Sequence, residues 1–519
     1  MSKIKTALQQ KASPVDLTRF RQSVYALWQN GQHPRHIELN ARVLTLDWPP
    51  SVDPKQLANF ESQARRLRLQ ALGRACRQLG ISDLFLAHHA DDQAETVLMR
   101  LIRSASGFKG IKDTTLIPEC EGHYGLYQSG SPLNAMNKGG GVALDKYPMI
   151  KIESGGIQLH RPLLSYHKSE LIATCKRAGI EWFEDSTNKD RTLTQRNTIR
   201  YLMNERRIPL ALGTAHMLDL AARSKERYEK RDGTARQLFR ACSIGLNLRS
   251  GKATVLVVPL NTIERIRELS PSRPFAVQDM EHVAALLVRR LLLLVSPQTE
   301  ISLQDLSGAV NAIFPEVGIA RSDAQRHTLN VACVQVTQLQ DTIGGDSSSN
   351  MFSLSRANPA VAAKAQSLLL NPSLAEDDST PTGAKWTQWQ LWDGRYWIRV
   401  RLPPHYLSRA ISVAARFLEM EDLAALRARR VPEFPRLVRL LKLHAPGPLR
   451  WTLPVIVERS NAVEGGATLI QERVVALPSL GWSIDQWFAA GGKLRDGPCW
   501  ELRYKAIDLD FQGANHRIG

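Results

Sequence analysis

The sequence predicts an α/β domain on a parallel sheet, followed by helical and then mixed α+β regions. Three observations carry that expectation. Strand and helix patterns alternate from Ala41 to Ala178, the order that builds parallel sheets. A short apolar run, Leu84–Ala87, leads straight into an amphipathic helix. Beyond about residue 210 the patterning turns helical, and from Trp386 it alternates with period two.

Taken in order, Ala41–Leu46 alternates as a strand should and stops at Pro49-Pro50. A helix is expected from Pro54 to Leu79, with Leu57, Phe60, Ala64, Leu72, Ala75 and Leu79 on its apolar side and Gly80 as its stop. Leu84–Ala87 reads as a buried strand. The next helix starts near Ala90, with Ala94, Val97, Leu98, Leu101 and Ile102 at helical spacing. Residues 113–156 turn to glycine, serine and polar residues, which suggests a surface insertion. Ser154-Gly155-Gly156 has the look of a phosphate loop, but Gln158 and Leu159 stand where its aspartate and serine would be, so it is rejected. Ile157–Leu164 resumes as a strand, Ser165 is placed to cap a helix reaching Ala178, and Gly179 ends that helix.

These elements make residues 1–210 one domain. Residues 211–340 read as a helical and mixed region. It opens on basic helices over Leu210–Cys242, where Arg223, Lys225, Arg227, Lys230, Arg231, Arg236 and Arg240 alternate with Glu226, Glu229 and Asp232. Residues 341–384, rich in serine, glycine, proline and acids, read as a flexible linker. Residues 385–519 read as α+β, with a turn at Asp393-Gly394 and a basic helical stretch carrying Arg427, Arg429, Arg430, Arg436, Arg439 and Lys442.

The 519 residues carry a formal net charge of +18, which favours a polyanionic partner, nucleic acid first among them. Six cysteines are scattered without a C-x-x-C pair, which excludes a zinc ribbon and points to reduced thiols. The most apolar stretch, Val283–Val295, is short and broken by Arg289-Arg290, so no membrane helix is expected. The first 37 residues hold one acid, Asp16. That composition fits a mitochondrial transit peptide, or a basic helix of a cytoplasmic protein.

The chemistry concentrates in His88-His89-Ala90-Asp91-Asp92-Gln93-Ala94-Glu95. Asp91 and Glu95 are four apart and Asp92 and Glu95 three apart, so either pair can share a helical face. A single acid at a helix start usually only caps it. Two histidines and three acids at the carboxyl end of a strand, where open α/β sheets bind ligands, fit a site for an ammonium group or Mg2+.

This stretch resembles the signature of the tRNA(Ile)-lysidine synthases, of the PP-loop ATP pyrophosphatase superfamily. So do Glu61, Ala64, Arg65 and Arg68 (with Leu69 in place of a tyrosine), Arg161-Pro162-Leu163-Leu164 with Lys168 and Glu170, and Glu184–Asn188 with Asp190 and Arg196–Arg200. The resemblance implies a Rossmann-like sheet, use of ATP and Mg2+, and free L-lysine and tRNA(Ile) as substrates. It makes Asp91, Asp92 and Glu95 the catalytic cluster, with Asp92 and Glu95 on the lysine ammonium. Arg65, Arg68, His88, His89 and Arg161 would bind substrate. Asn188, Arg196, Asn197 and Arg200 would meet nucleotide or tRNA.

The superfamily's S-G-G-x-D-S loop is not found in residues 1–60, where Gly31 is the only glycine. The pattern thus resembles an N-terminally incomplete PP-loop domain. Two readings follow: an active ligase met without its first βα units, or a catalytically silent tRNA-binding homologue. The abrupt start favours the first. This chain by itself is expected to bind tRNA without turning over ATP, because adenylation needs positioned donors at the transferring phosphorus.

Overall fold

The computed structural model describes residues 42–46, 48, 60–103, 110–127, 150–182, 195–205, 207–259, 277–315, 328–339, 350–364, 366–370, 385–402, 411–464, 467–484, 500–508, 510–511 and 516–518. By its contacts the chain forms two units, Met1–Glu121 with Gly156–Glu229, and Gly122–Gly155 with Lys230–Gly519. The division by contacts lies near residue 229, within a helix that runs from Thr214 to Ala241.

The elements through residue 241 are α1 (Phe60–Gln78), β1 (Asp83–Phe85), α2 (Ala90–Ile102), β2 (Thr114–Thr115), β3 (Lys151–Ile152), β4 (Gln158–His160), α3 (Lys168–Ala178), α4 (Gln195–Asn204) and α5 (Thr214–Ala241). In the first unit β1 pairs parallel with β4, Leu84 opposite Leu159, and β2 runs antiparallel on the other side of β4. Parallel pairing across the helical crossover is what the strand–helix alternation predicted. Alternation along β4 is clean: Ile157 and Leu159 are buried and Gln158 is exposed.

Several expectations are corrected. The strand at Leu84–Ala87 is expected to be buried, yet Phe85 is 65% exposed and stacks on the His160 ring, and β1 is an edge strand among the described residues. Residues 42–46 form no strand, and Val43 is 61% exposed. Alternation makes a strand only where a neighbour accepts its backbone hydrogen bonds. In α1 the deepest residue is Leu69, at the position where the family pattern has tyrosine, while Leu79 is largely exposed. Glycines end helices as expected: Gly80 and Gly179 both take positive φ, 66° and 65°, which costs glycine no Cβ clash.

The segment 113–156 is not a loose surface insertion where it is described. Ile117 and Cys120 are fully buried. In the second unit the Glu153 carboxylate accepts from Gly125 N, Trp397 Nε1 and Ala506 N at 3.0, 2.7 and 3.3 Å, tying the flanks of the segment down. Gly155 lies against the Gly125 carbonyl, and Ser154 Oγ accepts from Arg503. Both features are structural, in keeping with the rejected phosphate loop.

Among the described residues the second unit holds three sheets. The first runs β19 (His516–Ile518), β5 (Ser243–Asn247), β6 (Lys252–Leu256), β9 (Met351–Arg356), β8 (Val334–Gln338), β7 (Thr328–Val331). The second runs β11 (Lys385–Trp386), β13 (Tyr396–Leu402), β18 (Trp500–Tyr504), β3, with β12 (Gln390–Trp392) also on β13. The third runs β10 (Leu368–Leu369), β14 (Ile411–Phe417), β15 (Pro454–Glu464), β16 (Ala467–Leu477), β17 (Trp482–Ser483). Helices α6 (Val277–Leu293), α7 (Ser307–Ile313), α8 (Val361–Lys364), α9 (Met420–Ala428) and α10 (Phe434–His444) complete it. Strand β9 lies inside the stretch expected to be a linker. It pairs on both sides and buries every second residue, so 351–356 is sheet core.

Helix α6 covers much of Val283–Val295 and is core: Val283, Ala284, Leu287 and Val288 are buried. No helix among the described residues is long and apolar enough to cross a membrane. Cys76, Cys120, Cys175, Cys242 and Cys333 are free thiols.

Candidate functional site

Helix α2 organises the first unit. His89 caps it in an extended conformation, and the Asp92 carboxylate accepts the His89 N–H at 3.1 Å, closing a capping box. Its apolar side, Ala94, Val97 and Leu98, packs on Ile199 of α4 and on Met217 and Ala221 of α5. Because Ile199 seats in that face, Arg196 and Arg200, three residues before it and one after, are brought onto the same region of α2.

The three acids divide between two neighbouring helices. Asp91 turns to α3: its Oδ1 meets His167 Nδ1 at 3.2 Å and its Oδ2 accepts the Lys168 N–H at 2.8 Å. It satisfies an orphan donor at that helix start. Burial pushes its carboxyl up, but the Lys168 N–H and His167 outweigh burial and hold it below the ordinary aspartate range. The cap of α3 is thus His167, boxed with Glu170, and not Ser165.

Glu95 and Asp92 turn to α4. Glu95 is 2% exposed. Arg200 grips it with two parallel bonds, Nε to Oε1 at 2.6 Å and Nη2 to Oε2 at 3.0 Å, and Nη2 also reaches Asp92 Oδ1 at 3.4 Å. Arg196 lies 3.3 Å from Glu95 Oε2 and donates to Thr96 Oγ1 at 3.0 Å. Burial lifts the Glu95 carboxyl above its ordinary range and Arg200 opposes the lift. Burial also works against the Arg200 charge, but Glu95 outweighs it and the guanidinium is held more firmly protonated. Two-pronged guanidinium–carboxylate bonds are the strong kind.

Beside this pair lies a cluster of positive charge. Arg65 donates to Glu119 at 2.9 Å, and Arg161, 6% exposed, donates to the Lys112 carbonyl at 2.7 Å. Burial first, then Arg65 and Arg196, makes the Arg68 guanidinium easier to deprotonate than usual; burial and Arg65 do the same at Arg161. His88 sits among them. Burial pushes it down to about 4, with Asp92 opposing and Arg161, Arg65 and Arg196 assisting. It is therefore a neutral imidazole at physiological pH. Its Nδ1 and Arg161 Nε are buried without a hydrogen-bond partner among the described residues, and Arg196 Nε is ion-paired with Glu95 at 3.3 Å. Mutually repelling arginines with orphaned donors suit an acceptor-rich anion such as a phosphate or carboxylate.

The structure thus brings together Asp92, Glu95, Arg196 and Arg200 as one group and Arg65, Arg68, Arg161 and His88 as another, with Arg196 in range of both. Asp91 is drawn to α3 and His89 to the helix cap. Asn197 is 7% exposed and does not face solvent. Asn188, with Glu184 and Asp190, lies outside the described residues. Sequence reasoning missed His167 and Glu119. The three-residue spacing of His167 and Glu170 is a box signal, but histidine is not a usual cap. Glu119 was hidden inside the segment read as an insertion. Among the described residues no three metal-capable side chains are grouped to hold an ion; Asp91 turns to α3, and Asp92 and Glu95 turn to α4.

A PP-loop domain model matches residues 35–206. The chain is similar to a probable tRNA(Ile)-lysidine synthase of Schizosaccharomyces pombe, 25% identical over 428 residues, covering 81% of this chain and 76% of the relative. It is similar to a tRNA(Ile)-lysidine synthase of Bradyrhizobium sp. strain BTAi1, 35% identical over 159 residues, 31% of this chain and 34% of the relative. A third such synthase, from Chlamydia muridarum, is 29% identical over 147 residues, 28% of this chain and 34% of the relative. The chain therefore spans three quarters of the first relative's length and about a third of the other two.

Proposed function

We infer that this chain, which belongs to the tRNA(Ile)-lysidine synthase family of PP-loop proteins, is an ATP-dependent ligase that joins free L-lysine to the wobble cytidine of tRNA(Ile) through an adenylated intermediate. One observation carries the reading. Buried Glu95 and half-buried Asp92, both meeting Arg200, lie next to a cluster of arginines with a neutral histidine, so one side suits a cation and the other an anion. A free amino acid and a nucleotide together present those charges.

The residues support separate roles. Asp92 and Glu95 select the side-chain ammonium of lysine, since paired carboxylates in a partly desolvated site favour a cation. Arg65, Arg68 and Arg161 meet the lysine carboxylate or the phosphates of ATP, whose activated phosphoryl group supplies the adenylation. Arg196 and Arg200, which hold Glu95 in this structure, are the cations of α4 that would meet the nucleotide or tRNA. For the rest of the tRNA, α9, α10 and the turn between them present Arg427, Arg429, Arg430, Arg436, Arg439 and Lys442 as exposed cations. Helix α5 is a weaker candidate than its composition suggests, because Arg223 pairs with Asp219, Lys225 with Asp113, Arg231 with Asp279 and Arg236 with Asp232.

The test is lysine- and tRNA-dependent release of AMP by the purified chain, with lysine transferred to the tRNA. A second reading, tRNA binding without adenylation, is favoured by residues 1–60 having Gly31 as their only glycine. Salt-sensitive tRNA binding with no AMP release would select it.

A further inference from the structure

We propose that Arg200 is an internal occupant of the amine site: its guanidinium stands where the substrate ammonium binds, and an anion must draw it away before lysine can enter. The inference rests on the function proposed above. Three observations carry it. Glu95 is almost fully buried and its two oxygens are both taken by Arg200, at 2.6 and 3.0 Å. The same guanidinium touches Asp92 at 3.4 Å, so one cation spans both acids. Arg200 and Arg196 stand one helical turn apart on α4, and Arg196 also lies in range of His88 and Arg68 in the arginine cluster.

Uncovering Glu95 without a replacement would leave a buried, uncompensated carboxylate, which is strongly unfavourable. The exchange is favourable only when both charges are met at once. Lysine's ammonium takes over Glu95 and Asp92, and a phosphate takes over the guanidinium. Lysine affinity is therefore coupled to anion binding, and by linkage the coupling runs both ways. Its consequence is an order of addition: the amine is admitted after the phosphate-bearing substrate is seated.

The experiment measures lysine binding to the full chain by calorimetry, alone and with a saturating isoleucine tRNA transcript or inorganic pyrophosphate. The wild type is expected to bind lysine about tenfold more tightly with either anion, an ordinary size for coupled sites. Arg200→Gln is expected to show the tighter affinity already without anion and to lose the response. Arg200→Lys, which keeps the charge but not the two-pronged bond, should fall between and covers the case in which the glutamine variant does not fold. Equal lysine affinity with and without both anions in the wild type overturns the proposal, as does a folded Arg200 variant that still responds in full. Lysine binding to none of these proteins under any condition is a different failure: it removes the amine-site assignment itself.

Discussion

Among the described carboxylates held by two arginines, Glu95 and Asp393 differ in what surrounds them. In the first unit Glu95 is held by Arg200 and Arg196, whose side chains remain 27% and 25% exposed. In the second unit Asp393 is held by Arg395 at 2.7 Å and Arg356 at 3.1 Å, with exposures of 0% and 7%. Arg395 is further enclosed by the Trp392 and Tyr396 rings and donates to the Thr452 carbonyl. The same ion-pair chemistry therefore serves two ends. Where the cations keep a route to solvent, they can be exchanged for a ligand. Where they are sealed, they can only hold the fold, and any loss appears as instability.

The largest expected effect lies at the sealed cluster. Asp393→Asn leaves Arg356 and Arg395 without their carboxylate and should destabilise the second unit by about 3–5 kcal/mol. Urea unfolding followed by tryptophan fluorescence reads this directly, since Trp392 and Trp397 are buried there. An unchanged midpoint would break the comparison. Next, Glu95→Gln should leave the first unit folded and weaken lysine binding by about a hundredfold, in line with the roughly 3 kcal/mol attached to one member of a buried charge pair. A large stability loss with intact lysine binding would make Glu95 a second Asp393.

A pH dependence sharpens the contrast. Burial first, then Arg395, pushes Lys505 down to about 7. The folded state thus holds this proton less well than the unfolded chain, so the stability contributed by the second unit rises as pH climbs from about 7 toward 10. Lys505→Met should flatten that slope in unfolding curves taken across the range. The smallest effect is expected at Asp91. Asp91→Asn weakens the α3 cap and should cost about 1 kcal/mol. The native carboxyl is held below its ordinary value, so its contribution is present at neutral pH and fades as pH falls through the folded-state value. Thermal denaturation at pH 7 and pH 3 should show the wild-type advantage over the variant shrink. A hundredfold loss of lysine affinity in this variant would return Asp91 to the substrate site.

Local features were legible from residue order. The start and apolar side of α2, the glycine stops of α1 and α3, and the Asp393-Gly394 turn between β12 and β13 follow from side-chain spacing, capping and backbone freedom over a few residues. So did the gathering of acids in Asp91–Glu95. Partners were not legible. His167 is 76 residues from Asp91 and Arg200 is 105 from Glu95. The one-turn relation of Asp91 to Glu95 suggested a shared face, but their side chains were claimed by different neighbours. Composition marked α5 as basic helix with interleaved acids, and its Arg223–Asp219 and Arg236–Asp232 pairs stand one helical turn apart, whereas only the folded chain set Lys225 against Asp113 and Arg231 against Asp279. Composition likewise hid β9 inside a polar stretch, where pairing with β6 and β8 decided the outcome. The sequence by itself determined which charges exist and which short segments present them. The tertiary structure decided which are neutralised, because an ion pair depends on distance and burial in space, and packing brings those partners together across a hundred residues of chain.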